Sequence, residues 1–252
     1  MSSLEEMEML RVAVIAFLVL SPVFVNAQET TPPAGKTWSG DFGAGLSLTR
    51  GNSDTKNINL TANIAQRLSA RSVMKYDAFY LRADSGGALT VDRTLLGARD
   101  EFTISPLTYA FADLHFLHDR FKEIDSLITP TVGAGRHLIK NATTDLAVEA
   151  GAGAVIEKDS GLSRETSGAI NAKQLLTWKL SPTATFGETA AGLWKTKDFG
   201  DALYHVEASL ASNLTARSQL KLSALDDYKT KSPAAGIKKN DISIIAAVVM
   251  KF

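Results

Sequence analysis

The sequence predicts an all-β fold: a transmembrane antiparallel β-barrel of about twelve strands, with ten or fourteen as the alternatives. Three observations lead to this prediction. Apolar and polar residues alternate with a period of two in stretch after stretch. Short and longer connections follow one another in turn along the chain. The sequence ends on Phe252, at the tip of a wholly apolar stripe.

Five of the first six predicted strands place small or polar residues opposite an apolar face. The six strands are WSGDFGAGLSLTR, TKNINLTANIAQRL, SVMKYDAFYL, RTLLGARDEFTI, LTYAFADLHFLH and LITPTVGAGRHL. The fifth is ambiguous, because both of its faces carry apolar residues. The apolar positions of the other five are Phe42, Ala44, Leu46 and Leu48; Ile58, Leu60, Ala62 and Ile64; Met74, Tyr76, Ala78 and Tyr80; Leu96, Ala98, Phe102 and Ile104; and Ile128, Pro130, Val132 and Ala134.

The last six predicted strands continue the same pattern. They are DLAVEAGAGAVIE, TSGAINAKQLLTWKL, TATFGETAAGLW, ALYHVEASLASNL, QLKLSALDDY and DISIIAAVVMKF. The ninth alternates weakly, between small residues. The apolar positions of the others are Leu146, Val148, Ala150, Ala152, Ala154 and Ile156; Ile170, Ala172, Leu176, Trp178 and Leu180; Tyr204, Val206, Ala208, Leu210 and Leu214; Leu220, Leu222 and Ala224; and Ile242, Ile244, Ala246, Val248, Met250 and Phe252.

The connections predict which ends of the strands share a side. SAR, SP, KNAT, SPT and ARS follow the even-numbered strands, whereas longer polar segments such as ADSGGALTVD and KTKSPAAGIKKN follow the odd-numbered ones after the first. Short periplasmic turns and longer extracellular loops are the layout of outer-membrane barrels. The turn after the first strand, Gly51 to Asp54, fits a tight hairpin better than a phosphate or calcium loop.

A membrane barrel explains the alternation better than a soluble β-sandwich. The faces opposite the apolar stripes carry Asn, Thr, Lys, Asp and Glu, so we expect no second core there. Aromatic residues cluster near strand ends, as in membrane girdles. In hydrocarbon every backbone polar group must be paired within the protein, so the first and last strands are predicted to pair and close the sheet.

The N-terminal residues predict export. Val12 to Leu20 is an apolar run after Arg11, and Ala27 offers a cleavage site, so residues 1–27 are predicted to be a signal peptide. Glu5, Glu6 and Glu8 are unusual in such a segment, which leaves Met1 and Met9 open as start sites. Residues 28–37 are predicted to be a flexible periplasmic leader, and residues 38–252 the barrel.

Composition excludes several function classes. Lys plus Arg and Asp plus Glu both number 27, so no basic surface for nucleic acid is expected. Cys is absent, which excludes disulfides, thiolate metal sites and a catalytic Cys.

Charged residues on the polar faces are predicted to line the lumen. Because an unpaired charge is costly to desolvate, opposite charges should pair there, leaving the lumen either plugged or a narrow pore. These residues are Lys75, Asp77, Arg93, Arg99, Glu101, Asp113, Asp145, Glu149, Lys173, Glu207 and Lys221. Three charges fall on apolar faces, near strand ends where a bulge or the headgroup zone could accept them: Arg82, Asp100 and Arg136.

The histidines are the candidate catalytic residues. A barrel phospholipase would need a Ser–His pair held by a carboxylate or amide, and Asp113, His115 and Ser126 are the nearest approach to one. His115, His137 and His205 fit a lumenal polar network better, with His118 near a loop. We therefore expect no enzyme, no catalytic, cofactor-binding or metal-binding residue and no cofactor, and we leave any ligand-binding residue unassigned.

The segment WSGDFGAGLSLTRGNSDTKNINLTANI resembles the opening of the salt-induced outer-membrane protein family, Gram-negative envelope barrels of unknown function. The resemblance covers about Lys36 to Phe252. Its motif is Trp38, Gly40, Gly45, Ser47, Thr49, Gly51, Asn52, Ser53, Asp54 and Thr55. It implies an outer-membrane β-barrel and carries over no site residue.

These features predict an integral outer-membrane protein with a structural or envelope-stress role. A narrow channel for small solutes or ions is the alternative, and a lipid-modifying barrel enzyme is the second. The expected partners are outer-membrane lipids and, through the last strand ending in Phe252, the barrel-assembly machinery; nucleic acid is not among them, and oligomeric state is open.

Deletion of Phe252 should impair membrane assembly more than deletion of residues 28–36. The resemblance implies that the assembly machinery reads the terminal aromatic, whereas the leader has no core-forming pattern. The measurement is the amount of each variant that becomes heat-modifiable in outer-membrane fractions. Equal assembly of the two deletions would contradict this prediction.

Overall fold

The protein is described from a computed structural model that covers residues 32, 37–49, 55–121, 123–231 and 239–252. The predicted signal peptide, most of the predicted leader and the turn from Gly51 to Asp54 lie outside these residues. In the described part of the chain, no helix is long and apolar enough to cross a membrane.

Within the described residues, twelve antiparallel strands form one closed sheet, which confirms the predicted fold and the prediction of about twelve strands. Each strand pairs with its neighbours in sequence, and β1 pairs with β12. The strands are β1 (Trp38–Thr49), β2 (Thr55–Arg67), β3 (Ser72–Ser85), β4 (Ala88–Ser105), β5 (Thr108–Asp119), β6 (Ile124–Lys140), β7 (Thr144–Asp159), β8 (Glu165–Lys179), β9 (Ala184–Lys195), β10 (Asp198–Asn213), β11 (Ser218–Lys229) and β12 (Asn240–Lys251).

Closure depends on the pairing of β1 with β12. Phe42 lies opposite Met250, and Ala44 lies opposite Val248. The Phe252 N–H extends this pairing by donating to the Gly40 carbonyl at 3.0 Å. The described register of this seam runs from Asp41 to Ala44, and it joins the two strands that would otherwise be the edges of the sheet.

The outer surface of the barrel is apolar. Large side chains that a water-soluble protein would bury are about half exposed, including Val132 at 63 % and Phe42 at 52 %. Along β10 this surface runs from Tyr204 to Leu214, the residue that follows the strand. At about 3.3 Å per residue and a strand tilt of about 40°, that distance is about 25 Å along the barrel axis, the height of the apolar band of a transmembrane barrel.

Aromatic residues lie at both ends of this band, where membrane–water interfaces favour them. Trp38, Phe102, Trp178 and Phe252 lie towards the ends that carry the chain termini. Tyr80, Trp194, Tyr204 and Tyr228 lie towards the opposite ends. In this second group the Trp194 Nε1–H donates to the Tyr204 hydroxyl at 3.1 Å, and their rings meet edge to face.

Two of the polar residues predicted on the outer face are paired near strand ends. Arg82 Nε lies 3.9 Å from Asp84 Oδ2, three residues before the end of β3. The Ser72 hydroxyl donates to Asp100 at 2.8 Å, at the opposite end of the barrel. Arg136 lies on β6, four residues before the strand ends. These positions place the three charged groups towards the rims of the apolar band.

The prediction of longer loops after the odd-numbered strands was wrong for several connections. The segment ADSGGALTVD does not form a loop: β3 continues to Ser85 and β4 begins at Ala88. Gly86 and Gly87, with φ of 58° and 82°, make a two-residue turn that needs positive φ at both positions. In this segment only the turn itself is exposed, at residues 86–88, whereas Ala83 and Val91 are buried in the two strands that the turn connects.

Gly40 makes room for the ring of Phe252. The ring stacks on Phe42 with centroids 5.5 Å apart. A Cβ atom on Gly40 would lie 2.6 Å from the Phe252 ring and 2.5 Å from the Asn63 carbonyl oxygen. A glycine in the first strand therefore allows the last residue to lie flat across the seam.

Gly40→Val should destabilise the barrel by about 1–3 kcal/mol, the usual cost of overpacking a fitted site. The matched control is Ala44→Val on the same strand and outer face, where a β-branched residue suits a strand. Urea unfolding in lipid vesicles, followed by tryptophan fluorescence, measures both. Equal stability of the two variants would show that the glycine is not required.

Candidate functional site in the barrel lumen

The inner face of the barrel carries the buried polar and charged side chains, so the lumen is the candidate functional site. The buried polar residues come from almost every strand and include Asp41, Asn63, Thr131, Ser167, Gln219 and Ser223. Ten of the eleven charged residues predicted to line the lumen pair there, Asp145 with His137 and the others with opposite charges, and Asp77 lines the lumen beside them. The sequence prediction of a lumen of paired charges is therefore confirmed.

Arg99 on β4 is the centre of the largest charged cluster. Its Nη2 lies 2.6 Å from Glu149 Oε1, and its Nη1 lies 3.0 Å from Asp113 Oδ2. Nε lies 3.3 Å from Glu101 Oε2, which also pairs with Lys75 at 3.0 Å. The Glu149 and Asp113 side chains are only 1 % and 3 % exposed, so the guanidinium neutralises carboxylates that water barely reaches.

Two aromatic residues of β5 hold this cluster in place. The Arg99 guanidinium lies over the Phe111 ring, 4.3 Å from its centroid, which is a cation–π geometry. The Tyr109 hydroxyl donates to Glu149 Oε1 at 2.8 Å. Tyr109 lies flat over Gly135, where a Cβ atom would come within 2.3 Å of the ring. These aromatics explain the ambiguous pattern of β5, since its inner face is partly apolar.

Further ion pairs line both ends of the lumen. Towards the chain termini, Lys221 Nζ lies 3.1 Å from Glu207 Oε1. The opposite rim carries the connections predicted to be extracellular, and it is called the extracellular rim for that reason. There Glu157 accepts from Lys195 at 2.6 Å and from Lys229 at 2.8 Å. Lys195 also reaches Asp201 at 2.8 Å. The rim cluster links four strands, β7, β9, β10 and β11, across the mouth of the barrel.

The histidines occupy the predicted regions. His137 Nδ1 lies 2.5 Å from Asp145 Oδ1, and His205 Nδ1 lies 2.8 Å from Asp227 Oδ1, both within the lumen. His118 lies near the extracellular end of β5, with Nδ1 3.0 Å from the Asp125 carbonyl oxygen.

The residues considered for a lipase-like site are not brought together. Ser126 lies within β6 rather than in a loop, and it pairs with Lys158 next to the inward pair Leu127–Glu157, so it faces outward. Asp113 is engaged by Arg99. Within the described residues, no group of three or more His, Asp or Glu side chains is arranged to hold a metal ion.

The expectation that the inner face carries no second core was wrong. The extracellular half of the lumen holds a cluster of buried apolar side chains: Phe79, Leu81, Ala83, Val91, Leu95, Leu117, Ile124, Leu127, Val155, Ala169 and Leu225. The sequence does indicate this cluster: alternation is lost in stretches such as AFYL (78–81) and TLL (94–96), where adjacent residues on both faces are apolar.

Three cavities follow one another along the lumen. A cavity of about 400 Å³ lies at the end near the chain termini and includes Asp41, Gln219 and Lys251 in its lining. A cavity of about 130 Å³ surrounds the Arg99 cluster. A third, of about 170 Å³, lies in the extracellular half beside the apolar cluster. The charged cluster thus separates a polar vestibule from a largely apolar chamber.

Arg99→Leu should lower the free energy of unfolding by about 3–5 kcal/mol, because it leaves Glu149 and Asp113 buried without their cation. Arg99→Lys should recover only part of the loss, since an ammonium cannot pair bidentately. In Arg99→Leu/Glu149→Leu the loss should be smaller than the sum of the single losses. Urea unfolding of the wild type, Arg99→Leu, Glu149→Leu and the double variant measures this coupling, and additive losses would contradict it.

Comparisons with known proteins agree with this architecture. An outer membrane channel from Pseudomonas putida F1 superimposes with a TM-score of 0.55 at 14 % identity, over 93 % of this chain and 100 % of that one. The NanC porin gives a TM-score of 0.51 at 9 % identity, over 84 % and 98 %. The KdgM porin in complex with disordered oligogalacturonate gives 0.50 at 6 %, over 85 % and 99 %. At sequence identities this low, the similarity shows a shared fold and nothing more.

The sequence itself matches one family. No curated protein matches the chain by sequence. A family model described as "Protein of unknown function, DUF481" matches residues 42–252, which include all of the barrel except the first residues of β1. The chain therefore belongs to the DUF481 family.

Proposed function

We propose that the protein is an integral outer-membrane barrel of a Gram-negative envelope, with a closed lumen and a structural or stress-related role. The observation that carries this proposal is a pair of side-chain clusters that occupy the lumen at two levels. The Arg99 cluster crosses it at mid-height, and the apolar cluster narrows its extracellular half to a chamber of about 170 Å³. A diffusion porin instead keeps a water-filled channel.

The outer-membrane location rests on the arrangement of the faces. An apolar exterior about 25 Å high with aromatic girdles suits a bilayer, and a closed sheet leaves no unpaired edge in it. The solved barrels with the same fold include one described as an outer membrane channel and others described as porins. The resemblance to salt-induced envelope proteins supports a stress-related role rather than a nutrient-specific one.

A narrow channel is the second candidate, and the line of cavities favours it. The vestibule and the mid-lumen cavity share Asn63 and Asp145, and the mid-lumen cavity and the chamber share Asp77 and His115. A shift of Arg99 away from Glu149 would join these spaces into a path for small solutes or ions. No catalytic step is proposed, because Asp113, His115 and Ser126 are not arranged as a catalytic triad.

Planar-bilayer recording should distinguish the two candidates. Refolded wild-type protein is expected to give no single-channel steps, because both closing clusters are intact. A general porin, refolded in the same lipid, is the positive control. Arg99→Ala/Phe111→Ala, which removes the mid-lumen closure but keeps the apolar cluster, should stay closed as well.

Leu117→Ser/Leu127→Ser added to that variant should produce conductance, because both closures are then weakened. Uniform steps from the wild-type protein would overturn the closed-lumen proposal and favour the channel. Gel mobility before and after heating verifies that each variant forms a barrel.

A further inference from the structure

The extracellular half of the lumen contains a chamber with the character of a small-molecule site. It has a volume of about 170 Å³ and apolar walls that include Leu117, Leu127, Leu193 and Leu203. A dry apolar cavity of about 150 Å³ engineered into another protein binds benzene. The chamber is therefore large enough for a guest of roughly seven non-hydrogen atoms.

The charges around the chamber favour an uncharged guest. Three carboxylates and three cations line it: Asp77, Asp113, Asp227, Arg93, Lys173 and Lys229. Each cation already lies within 4 Å of a carboxylate, Arg93 with Asp119, Lys173 with Glu149 and Lys229 with Glu157. An ionic guest would lose its hydration without meeting an excess of opposite charge, and such desolvation is costly.

One of the carboxylates that line the chamber has an oxygen atom that can still accept a hydrogen bond. Asp227 is 8 % exposed, and its Oδ1 lies 2.8 Å from His205 Nδ1. Its Oδ2 is buried and accepts no hydrogen bond from the described residues. Buried polar atoms are normally satisfied, and an acceptor of this kind at the wall of a cavity is suited to a donor on a guest. Since the acceptor belongs to a carboxylate, such a hydrogen bond is among the stronger ones.

We propose that this chamber binds a small uncharged molecule with an aromatic-sized apolar body and one hydroxyl group, a guest of the phenol class. The leucine walls contact the ring, and Asp227 Oδ2 accepts the hydroxyl proton in a hydrogen bond. This site goes beyond the closed-barrel role and does not depend on it, since a guest can be held in a lumen that conducts nothing.

The test uses the refolded full barrel in detergent and two probes, 4-fluorophenol and fluorobenzene, observed by fluorine NMR. Ala191 lines the chamber, so Ala191→Leu should fill it and weaken binding of 4-fluorophenol at least about tenfold. Its neighbour Ala190 points to the opposite face of β9, so Ala190→Leu is the matched control and should bind as the wild type does. Because both variants carry the same added atoms, uptake of the probe by micelles affects them equally.

Asp227→Asn tests the polar contact. The wild type should prefer 4-fluorophenol over fluorobenzene by about tenfold, the effect expected of one hydrogen bond to a charged acceptor. The variant should lose most of this preference while it still binds fluorobenzene. If Ala191→Leu fails to form a barrel, Leu203→Phe fills the chamber from β10 instead.

Equal binding by the wild type and the filled variants would overturn the proposal, because the probe would then be in the micelle only. Stronger binding of 4-fluorobenzoate than of 4-fluorophenol would overturn the uncharged guest. Neither result bears on conductance, so failure of this site and failure of the closed-barrel proposal are separate outcomes.

Discussion

Hydrocarbon offers no hydrogen bonds, so a chain that crosses a membrane as strands has to pair its backbone groups within one closed sheet. In this protein the constraint is met where β1 pairs with β12, from Asp41 opposite Lys251 to Ala44 opposite Val248. The Phe252 N–H and ring extend the seam across Gly40. Once the sheet is closed, alternation assigns every side chain to lipid or to lumen, and the rest of the architecture follows.

Closure creates a second problem inside the barrel. A lumen of this size encloses charged side chains with little access to water, and each must be neutralised by another side chain. Arg99 meets this requirement for Glu149 and Asp113 at mid-height, and the rim cluster around Glu157 does the same at the extracellular mouth. Between these layers the strands carry Leu117, Leu127 and Leu225, which need no partners and pack against one another.

The charged and apolar clusters inside the barrel indicate a different role from the open channel that the fold alone would suggest. Barrels with the same fold include one described as a channel and others as porins, but fold does not imply function. The Arg99 cluster, which crosses the lumen, favours the proposed envelope barrel without free diffusion. The chamber above this cluster adds a site whose walls and acceptor suit a small neutral guest. The two ideas rest on different side chains: closure on Arg99 and its partners, and binding on Asp227 and the leucines.

The sequence by itself predicted about twelve strands, with ten and fourteen left open, and it assigned most of the outer faces and inward residues, because a period of two fixes which face each residue of a strand occupies. It also indicated that the inward charges, Lys75 and Arg99 among them, would pair. Only the tertiary structure decided which charges pair: Arg99 on β4 reaches Glu149 on β7, across two intervening strands. It also decided that Phe79 and Leu225 meet in an inner apolar cluster. Alternation gives a residue's face but not its height along the lumen or its neighbour across it, and these depend on the register and closure of all twelve strands.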